Sequence, residues 1–509
     1  MNVIFISIDS LSRNFLKIYG QPIEIAVQTP NLDRFAERAS VFDTHYAGSL
    51  PCMPARREFF AGIQEFLWRP WGPIEPFDMP LARAARGAGA VTQLVTDHYH
   101  YFQHGSHGYY EDYNGFDFIR GHESDAWRTA PRQPHPDLLR QLKANDSEDV
   151  AAFMSRAAYA RNVASFDIED ERDFFPAKVF SRAAGWLQNN HDLPAWYLAI
   201  DSFDVHEPFH CPEPYASMYT DEDPRDPELV VWPVYGRVDE GRSQLTPRQV
   251  AFVRSQFAGK VTMVDRWFGE VLDTLDRLDL WRSTMVVVTT DHGHYLGEHG
   301  WMGKPTAPFY NVLAQTPLLI WHPDNPRPGG RTAALTSAVD IYATALDALG
   351  APVPSNVHSQ SLMPILRGER EHHRDWAVYG YWGSSINVTD GRYTYFHPCQ
   401  AGAPANAHST MMIMMDPWDW FRPVEPQVNA EAGRFLPYTD TPVWRYASTS
   451  QSRHDSPMLF DVQSDPGQTH DLATERPDVT STMRDLLVTA LRQLGAPEDQ
   501  YRRLGLDGS

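Results

Sequence analysis

Four short apolar segments of this chain run into residues able to do chemistry. Residues 2–8 lead to Asp9, and residues 91–96 to Asp97-His98-Tyr99-His100. Residues 195–200 lead to Asp201 and then His206, and residues 284–290 to Asp291-His292-Gly293-His294. Carboxylates and imidazoles hold divalent cations, move protons and meet anions. In open α/β sheets, ligands bind outside the carboxyl ends of the strands. Asp9, Asp291 and His292 therefore form a candidate metal set of two carboxylates and one imidazole. Carboxylate oxygens suit Ca²⁺, Mg²⁺ or Mn²⁺; the imidazole shifts the choice towards Mn²⁺ or Zn²⁺ without excluding Ca²⁺. The competing reading of any one strand-end aspartate is a helix cap or a turn anchor. It weakens as such ends accumulate.

A cysteine adds to this set in the string Leu50-Pro51-Cys52-Met53-Pro54-Ala55-Arg56. Pro54 reads as a first-turn residue, which puts Cys52 at a helix N-terminus, where unpaired N–H groups favour negative charge. Arg56, one turn on, adds a positive group to the same side. A lone cysteine is more often a small buried hydrophobe, but polar neighbours and an arginine favour a reactive thiol. A thiolate with a histidine base, or a serine triad through Ser10, are alternatives without a local signature.

These side chains need a scaffold. The 509 residues are enough for a large core and a second subdomain. Residues 2–8, 91–96, 195–200, 284–290 and 317–321 read as strands, separated by helical segments. Thr29-Pro30-Asn31 opens one helix, with threonine as its cap. Thr246-Pro247 opens a long one, whose apolar residues from Val250 to Leu278 recur three or four apart. The alternation predicts an α/β fold with a mostly parallel sheet flanked by helices. Residues 125–173 read as an insertion over the sheet edge, and residues 212–242 as a long surface loop. After a charged linker at 367–375, short aromatic runs at 378–382 and 392–396 and a helix near 479–494 predict a smaller antiparallel sheet. The division expected is a catalytic domain at 1–375 and a smaller C-terminal α+β subdomain at 376–509.

Net charge is −21, from 44 Lys+Arg against 65 Asp+Glu, which argues against nucleic-acid and anionic-membrane partners. An anionic substrate stays open, because a bound cation reverses the local field. No apolar run spans a bilayer, and the first strand lacks the layout of a signal peptide, so the chain reads as cytoplasmic. Cys52, Cys211 and Cys399 are too few and too scattered for a disulfide framework. The glycosylation pattern at Asn145-Asp146-Ser147 then has no meaning. The run at 411–415, with Trp418, Trp420 and Phe421, suits core packing, a pocket wall or a contact within a homo-oligomer; core packing is the preferred reading.

Taken together, the residues resemble the sulfatases of the alkaline phosphatase superfamily, including the phosphonate monoester hydrolases. The markers are Asp9, Thr29-Pro30-Asn31-Leu32-Asp33 and Cys52-Met53-Pro54-Ala55-Arg56. They continue with Ser202-Phe203-Asp204-Val205-His206-Glu207-Pro208-Phe209 and Met263-Val264-Asp265. Asp291-His292-Gly293-His294-Tyr295-Leu296-Gly297-Glu298-His299-Gly300, Lys304 and Leu459-Phe460-Asp461 complete the set. The resemblance spans nearly the whole chain and implies an alkaline-phosphatase-like fold.

For function, the resemblance implies hydrolysis of sulfate esters. A maturing enzyme would read Cys52, Pro54 and Arg56 and convert Cys52 to formylglycine. The hydrate would bind one divalent metal ion, Ca²⁺ first and Mn²⁺ as alternative, with Asp9, Asp291 and His292. One hydroxyl would attack sulfur, and the other would release sulfate from the sulfated enzyme. Arg56 would hold the formylglycine hydroxyl, and His206 and Lys304 would meet the sulfate and the leaving oxygen, either serving as general acid. His98 or His100 resembles, more loosely, a substrate-binding basic residue. One departure is Ser10, which stands where many sulfatases carry a second aspartate. It points towards the phosphonate monoester hydrolases, so a phosphonate monoester or phosphodiester hydrolase, or an enzyme promiscuous across both, is the nearest alternative. An unmodified protein that only binds sulfated ligands is another.

Overall fold

Residues 2–8 (Asn-Val-Ile-Phe-Ile-Ser-Ile) must bury side chains on two faces, because successive side chains of a strand point oppositely. A computed structural model shows how this is met. It describes residues 1–20, 23–103, 105–126, 132–143, 150–304, 307–400, 402–416, 420–423, 429–448 and 453–506. Strands β1 (Asn2–Ile8), β2 (Ser40–Phe42), β3 (Val91–Thr96), β4 (Gly115–Phe118), β5 (Trp196–Ser202), β6 (Thr284–Thr289), β7 (Leu318–Trp321) and β8 (Arg331–Thr332) form one sheet. Their spatial order is β8-β2-β7-β6-β1-β5-β3-β4. Ile4, Ile6 and Ile8 join the core on one face, and Val3 and Phe5 the core on the other.

Both faces are covered by helices, as a sheet with two apolar faces requires. The principal ones are α1 (Pro30–Ala36), α2 (Cys52–Ala61), α3 (Phe175–Asn190), α4 (Pro247–Arg277), α5 (Asp340–Leu349) and α6 (Pro477–Leu494). Leu32, Phe180 and Phe257 bring α1, α3 and α4 to the first core; Phe59 and Tyr342 bring α2 and α5 to the second.

Four neighbouring strands, β6, β1, β5 and β3, are mutually parallel. Ile8 pairs with Ser202, Ser7 with Thr289 and Thr96 with Asp201, so the carboxyl ends lie side by side. β7 runs antiparallel to β6 and β2, which makes the sheet mixed.

Helix starts follow from sequence in one case and from packing in another. Thr246 and Gln249 form a reciprocal capping box at α4, with bonds of 3.2 and 3.0 Å. Thr29 was expected to cap α1, but its side chain makes no capping bond. Asp265 on α4 does that work, accepting from the backbone N–H groups of Asn31 at 3.0 Å and Leu32 at 2.7 Å. A carboxylate at a helix N-terminus is a stronger acceptor than a hydroxyl. Burial pushes Asp265 up to about 6.

The second sheet orders Met458–Asp461, Tyr393–His397, Ile386–Thr389, Ala377–Tyr381 and Ser49–Leu50. α6 closes over it, with Leu487 and Leu491 packed against Val378, Ile386 and Val388. The last strand comes from far upstream, directly before Cys52, so residues 1–375 and 376–509 share this sheet.

The region at 125–173 contains helices Pro136–Gln141 and Val150–Val163. Tyr159 and Val163 pack with Phe175 and Phe252, beside Ile119 at the end of edge strand β4. The stretch at 212–242 is less exposed than its composition suggested. Leu229, Val231 and Trp232 are buried in that same cluster, because they cover the apolar face of the inserted helices.

Met412 packs near Trp382, Ala407 and Tyr446. Trp418, the side chains of Trp420, Phe421 and residues 413–416, and Asn145-Asp146-Ser147 lie outside the described residues. Cys52, Cys211 and Cys399 are buried and unbridged. Among the described residues, no helix is long and apolar enough to cross a membrane.

Candidate active site

Cys52 reaches the carboxyl edge of the main sheet because the chain before it is pinned. Ser49 and Leu50 pair in parallel with Gly380 and Tyr381. Every residue of α2 is buried, so its polar side chains must find partners inside. Glu58 turns back to accept from both the N–H and the hydroxyl of Ser49, each at 2.5 Å. Burial pushes its carboxyl up to about 8. Arg57 pairs with Asp78 through two bonds, at 3.0 and 2.9 Å.

One ligand atom from each of Asp9, Cys52, Asp291 and His292 lies within 4.8 Å of the others. His292 Nδ1 contacts the Gly293 carbonyl at 2.8 Å. A carbonyl only accepts, so Nδ1 carries the hydrogen and Nε2 presents a bare lone pair, 3.4 Å from Cys52 Sγ. Burial lowers His292 to about 4, leaving the neutral ring that binds metals. Gly293 has no room for a Cβ, which would run into the Val312 carbonyl.

Asp291 Oδ1 accepts from the backbone of Ser10 at 3.0 Å and of His292 at 2.8 Å. The Ser10 hydroxyl donates to Asp9 Oδ1 at 2.7 Å, from a backbone at φ +61°, a conformation costly for a non-glycine residue. Asp9 Oδ2 accepts no aligned hydrogen bond, though Arg56 Nη2 stands 2.9 Å away. Burial, and then the neighbouring Asp291, push Asp9 well above the usual carboxylate range. Burial works on Asp291 in the same direction, but Arg56 and His292 overcome it and hold Asp291 low. Two crowded buried carboxylates, an under-bonded oxygen and a neutral imidazole lone pair fit a divalent cation.

Arg56 is fully buried among carboxylates. Its guanidinium pairs with Asp201 and Asp9, makes a short contact to Asp291, and donates to the Cys52 carbonyl at 3.2 Å. Its charge is absorbed by those carboxylates. The Cys52 thiol is pushed well up, first by burial and then by Asp9. A plain thiolate nucleophile loses its support. Lys304 lies close, with Nζ 3.7 Å from Cys52 Sγ and 3.5 Å from Ser10 Oγ. Burial would lower Lys304, but Cys52, Glu207 and Asp9 raise it.

The three remaining candidates are histidines at graded distance. His98 Nε2 is 3.6 Å from Asp9 Oδ2, and neither ring nitrogen has a hydrogen-bond partner. Burial drives His98 well below its ordinary value. His100 sits one step out, its ring 5.2 Å from that of His98, and pairs with Glu123 at 3.3 Å. His206 Nδ1 donates to the Glu207 carbonyl at 2.8 Å, which leaves Nε2 as its working atom.

Sequence reasoning assigned no role to Asp201, Tyr101, Glu207 or His294. The Tyr101 hydroxyl donates to Asp201 at 2.5 Å, and His294 Nε2 meets Glu207 at 3.1 Å. Asp201 and His294 carried a signal, their places at and just beyond strand ends. Beyond His294 the motif shapes a turn. Glu298 accepts from the Leu296 N–H at 2.6 Å, and His299 stacks on Tyr310 at 3.9 Å.

The Sulfatase family model matches residues 1–351. Arylsulfatase K of Rattus norvegicus is 22% identical over 522 residues, covering 95% of this chain and 76% of its own length. Among solved structures, the phosphonate monoester hydrolase of Agrobacterium radiobacter superposes with a TM-score of 0.64 at 19% identity, covering 97% of this chain and 96% of its own. A protein in complex with its substrate, D-glucosamine-2-N,6-O-disulfate, gives a TM-score of 0.66 at 15% identity, covering 98% and 99%. These likenesses show the alkaline-phosphatase-like fold, and the match over residues 1–351 places the chain in the sulfatase family, the sulfuric ester hydrolases.

Proposed function

We propose that this protein hydrolyses sulfate esters through a formylglycine made from Cys52, with one divalent cation, Ca²⁺ or Mn²⁺, held by Asp9, Asp291 and His292. The observation that carries the reading is the convergence of these four residues within 4.8 Å at the carboxyl edge of four parallel strands. When bound, the cation would supply Lewis-acid chemistry, activating the nucleophile and neutralising the transferring group. His292 offers Nε2 because Gly293 holds Nδ1–H, and Ser10 orients both carboxylates.

In this reading the sulfuryl group passes in line to a hydroxyl of residue 52 as the alcohol departs. The other hydroxyl of the hydrate then loses its proton, the bond from residue 52 to the sulfate oxygen breaks, and the aldehyde returns to be rehydrated. Arg56 fixes the start of α2. Lys304 faces the anion and the leaving oxygen, where charge develops, and His206 offers Nε2 from a fixed tautomer. His98 and His100 line the approach from the β3 side, where they would bind substrate. Turnover of 4-nitrophenyl sulfate, with mass spectrometry of the Cys52 peptide, tests the proposal. Active protein with an intact thiol at 52 would sink it.

Ser10 favours a second reading, hydrolysis of phosphonate monoesters or phosphodiesters. It supplies a hydroxyl to Asp9 in place of another carboxylate, leaving the cation fewer anionic ligands. Relative rates on an aryl sulfate, a phosphonate monoester and a phosphodiester decide between the two.

A further inference from the structure

Glu207 is a buried carboxylate that the chemistry above does not use. Its oxygens face three nitrogen groups: His294 Nε2 at 3.1 Å, His206 Nδ1 at 3.6 Å and Lys304 Nζ at 4.0 Å. Those groups come from the loop after β5, the turn after β6 and the segment carrying Lys304. His294 is itself anchored, with Nδ1 against the Tyr295 carbonyl at 2.8 Å. Both its ring nitrogens therefore meet oxygen atoms, one from the chain and one from Glu207. That arrangement fixes the carboxylate in place.

The backbone here is held independently of the Glu207 side chain. Lys260, on α4, donates to the carbonyls of His206 at 2.9 Å and Pro208 at 2.7 Å and pairs with Asp204. His122 contacts the same Asp204 oxygen at 3.0 Å. Changing the Glu207 head group thus alters what Lys304 and His206 lean on, not the path of the chain.

We propose that Glu207 is a positioning residue for departure of the leaving group, its carboxylate, anchored by His294, setting the direction of Lys304 beside residue 52 and flanking the His206 ring. The inference rests on the sulfatase reading above. Lys304 is an ammonium on a flexible stem, and beside residue 52 it needs a fixed counter-charge to hold one direction. A group that aids proton delivery matters most when the leaving alcohol is a poor one.

The test compares wild type with Glu207→Gln, both metal-loaded and matched for formylglycine content, on 4-nitrophenyl sulfate and a simple alkyl sulfate. Glutamine keeps the size of the side chain and an acceptor but removes the charge. The expected result is a fall in kcat of about 10- to 100-fold on the alkyl ester and less than about 3-fold on the aryl ester, with KM within about 2-fold. Glu207→Asp should recover part of the alkyl rate. An equal loss on both esters, or none on either, overturns the positioning role. Wild type that turns over neither ester overturns the sulfatase reading itself, and this inference with it.

Discussion

Arg56 grips Asp201 with two bonds, Nε to Oδ2 at 3.2 Å and Nη2 to Oδ1 at 3.0 Å, and both side chains are fully buried. Asp201 is not in the metal set. It fixes the guanidinium so that Nη2 also reaches Asp9 and Nη1 reaches Asp291. In the metal-free protein, Arg56→Met would leave the carboxylates of Asp9, Asp201 and Asp291 without their shared cationic partner. Breaking such a buried network costs about 3–5 kcal/mol. Urea denaturation of the variant should show that loss; a change below about 1 kcal/mol would mean that the carboxylates are not charged together.

Cation removal should act on stability as well as turnover. A ligand that binds only the folded chain stabilises it by about 2.7 kcal/mol at one hundred times its dissociation constant. Chelation should therefore lower Tm and stop hydrolysis, and Mn²⁺ or Ca²⁺ should restore both. Asp291→Asn should show neither response. Calorimetry with and without chelator is the check, and an unchanged Tm would remove the cation from the site.

Gly293 lets the backbone pass close to Val312. Gly293→Ala forces a methyl against the Val312 carbonyl, and overpacking of this kind costs about 1–3 kcal/mol. Because the Gly293 carbonyl sets the His292 tautomer, bound metal should also fall below one equivalent by elemental analysis. Gly185→Ala in α3, where a Cβ meets nothing within 4 Å, is the control. It should be neutral, or stabilising by up to about 1 kcal/mol.

Glu58 supplies a pH dependence away from the metal set. Burial lifts its carboxyl from the ordinary 4.5 to about 8. Between those values the folded chain holds a proton that the unfolded chain has released, so stability falls as pH rises. The contribution is complete below the ordinary value and gone once pH passes the folded one. Subtracting the unfolding free energy of Glu58→Gln from that of wild type should leave a difference that declines by up to about 1.4 kcal/mol per pH unit across this window. A difference that does not vary with pH would show Glu58 ionised throughout.

The grouping of Asp9, Asp291 and His292 was readable because the strands before them are apolar runs. Asp9 and Asp291 end strands whose length and composition declare them, and Cys52 and Arg56 sit in a dense local motif. What escaped depends on pairings across the chain. Glu207 and His294 are 87 positions apart, and nothing local in the sequence links them. Asp265 caps a helix through Asn31, 234 positions earlier, so Thr29, adjacent in sequence, took the credit. Leu229, Val231 and Trp232 sit among Pro, Asp and Glu, and composition hid a buried patch. Arg56 misled in another way: its charge was visible, but the carboxylates that consume it arrive from three other strands.

The burial of α2 sets an order of events. Cys52 is 3% exposed, and the helix behind it offers no residue at the surface. No second protein could grasp Pro54 and Arg56 once this segment has docked between the two sheets. If the thiol is rewritten as an aldehyde, that must happen while the polypeptide is still being made or is held open. The yield of working molecules is then decided by a race between oxidation and folding.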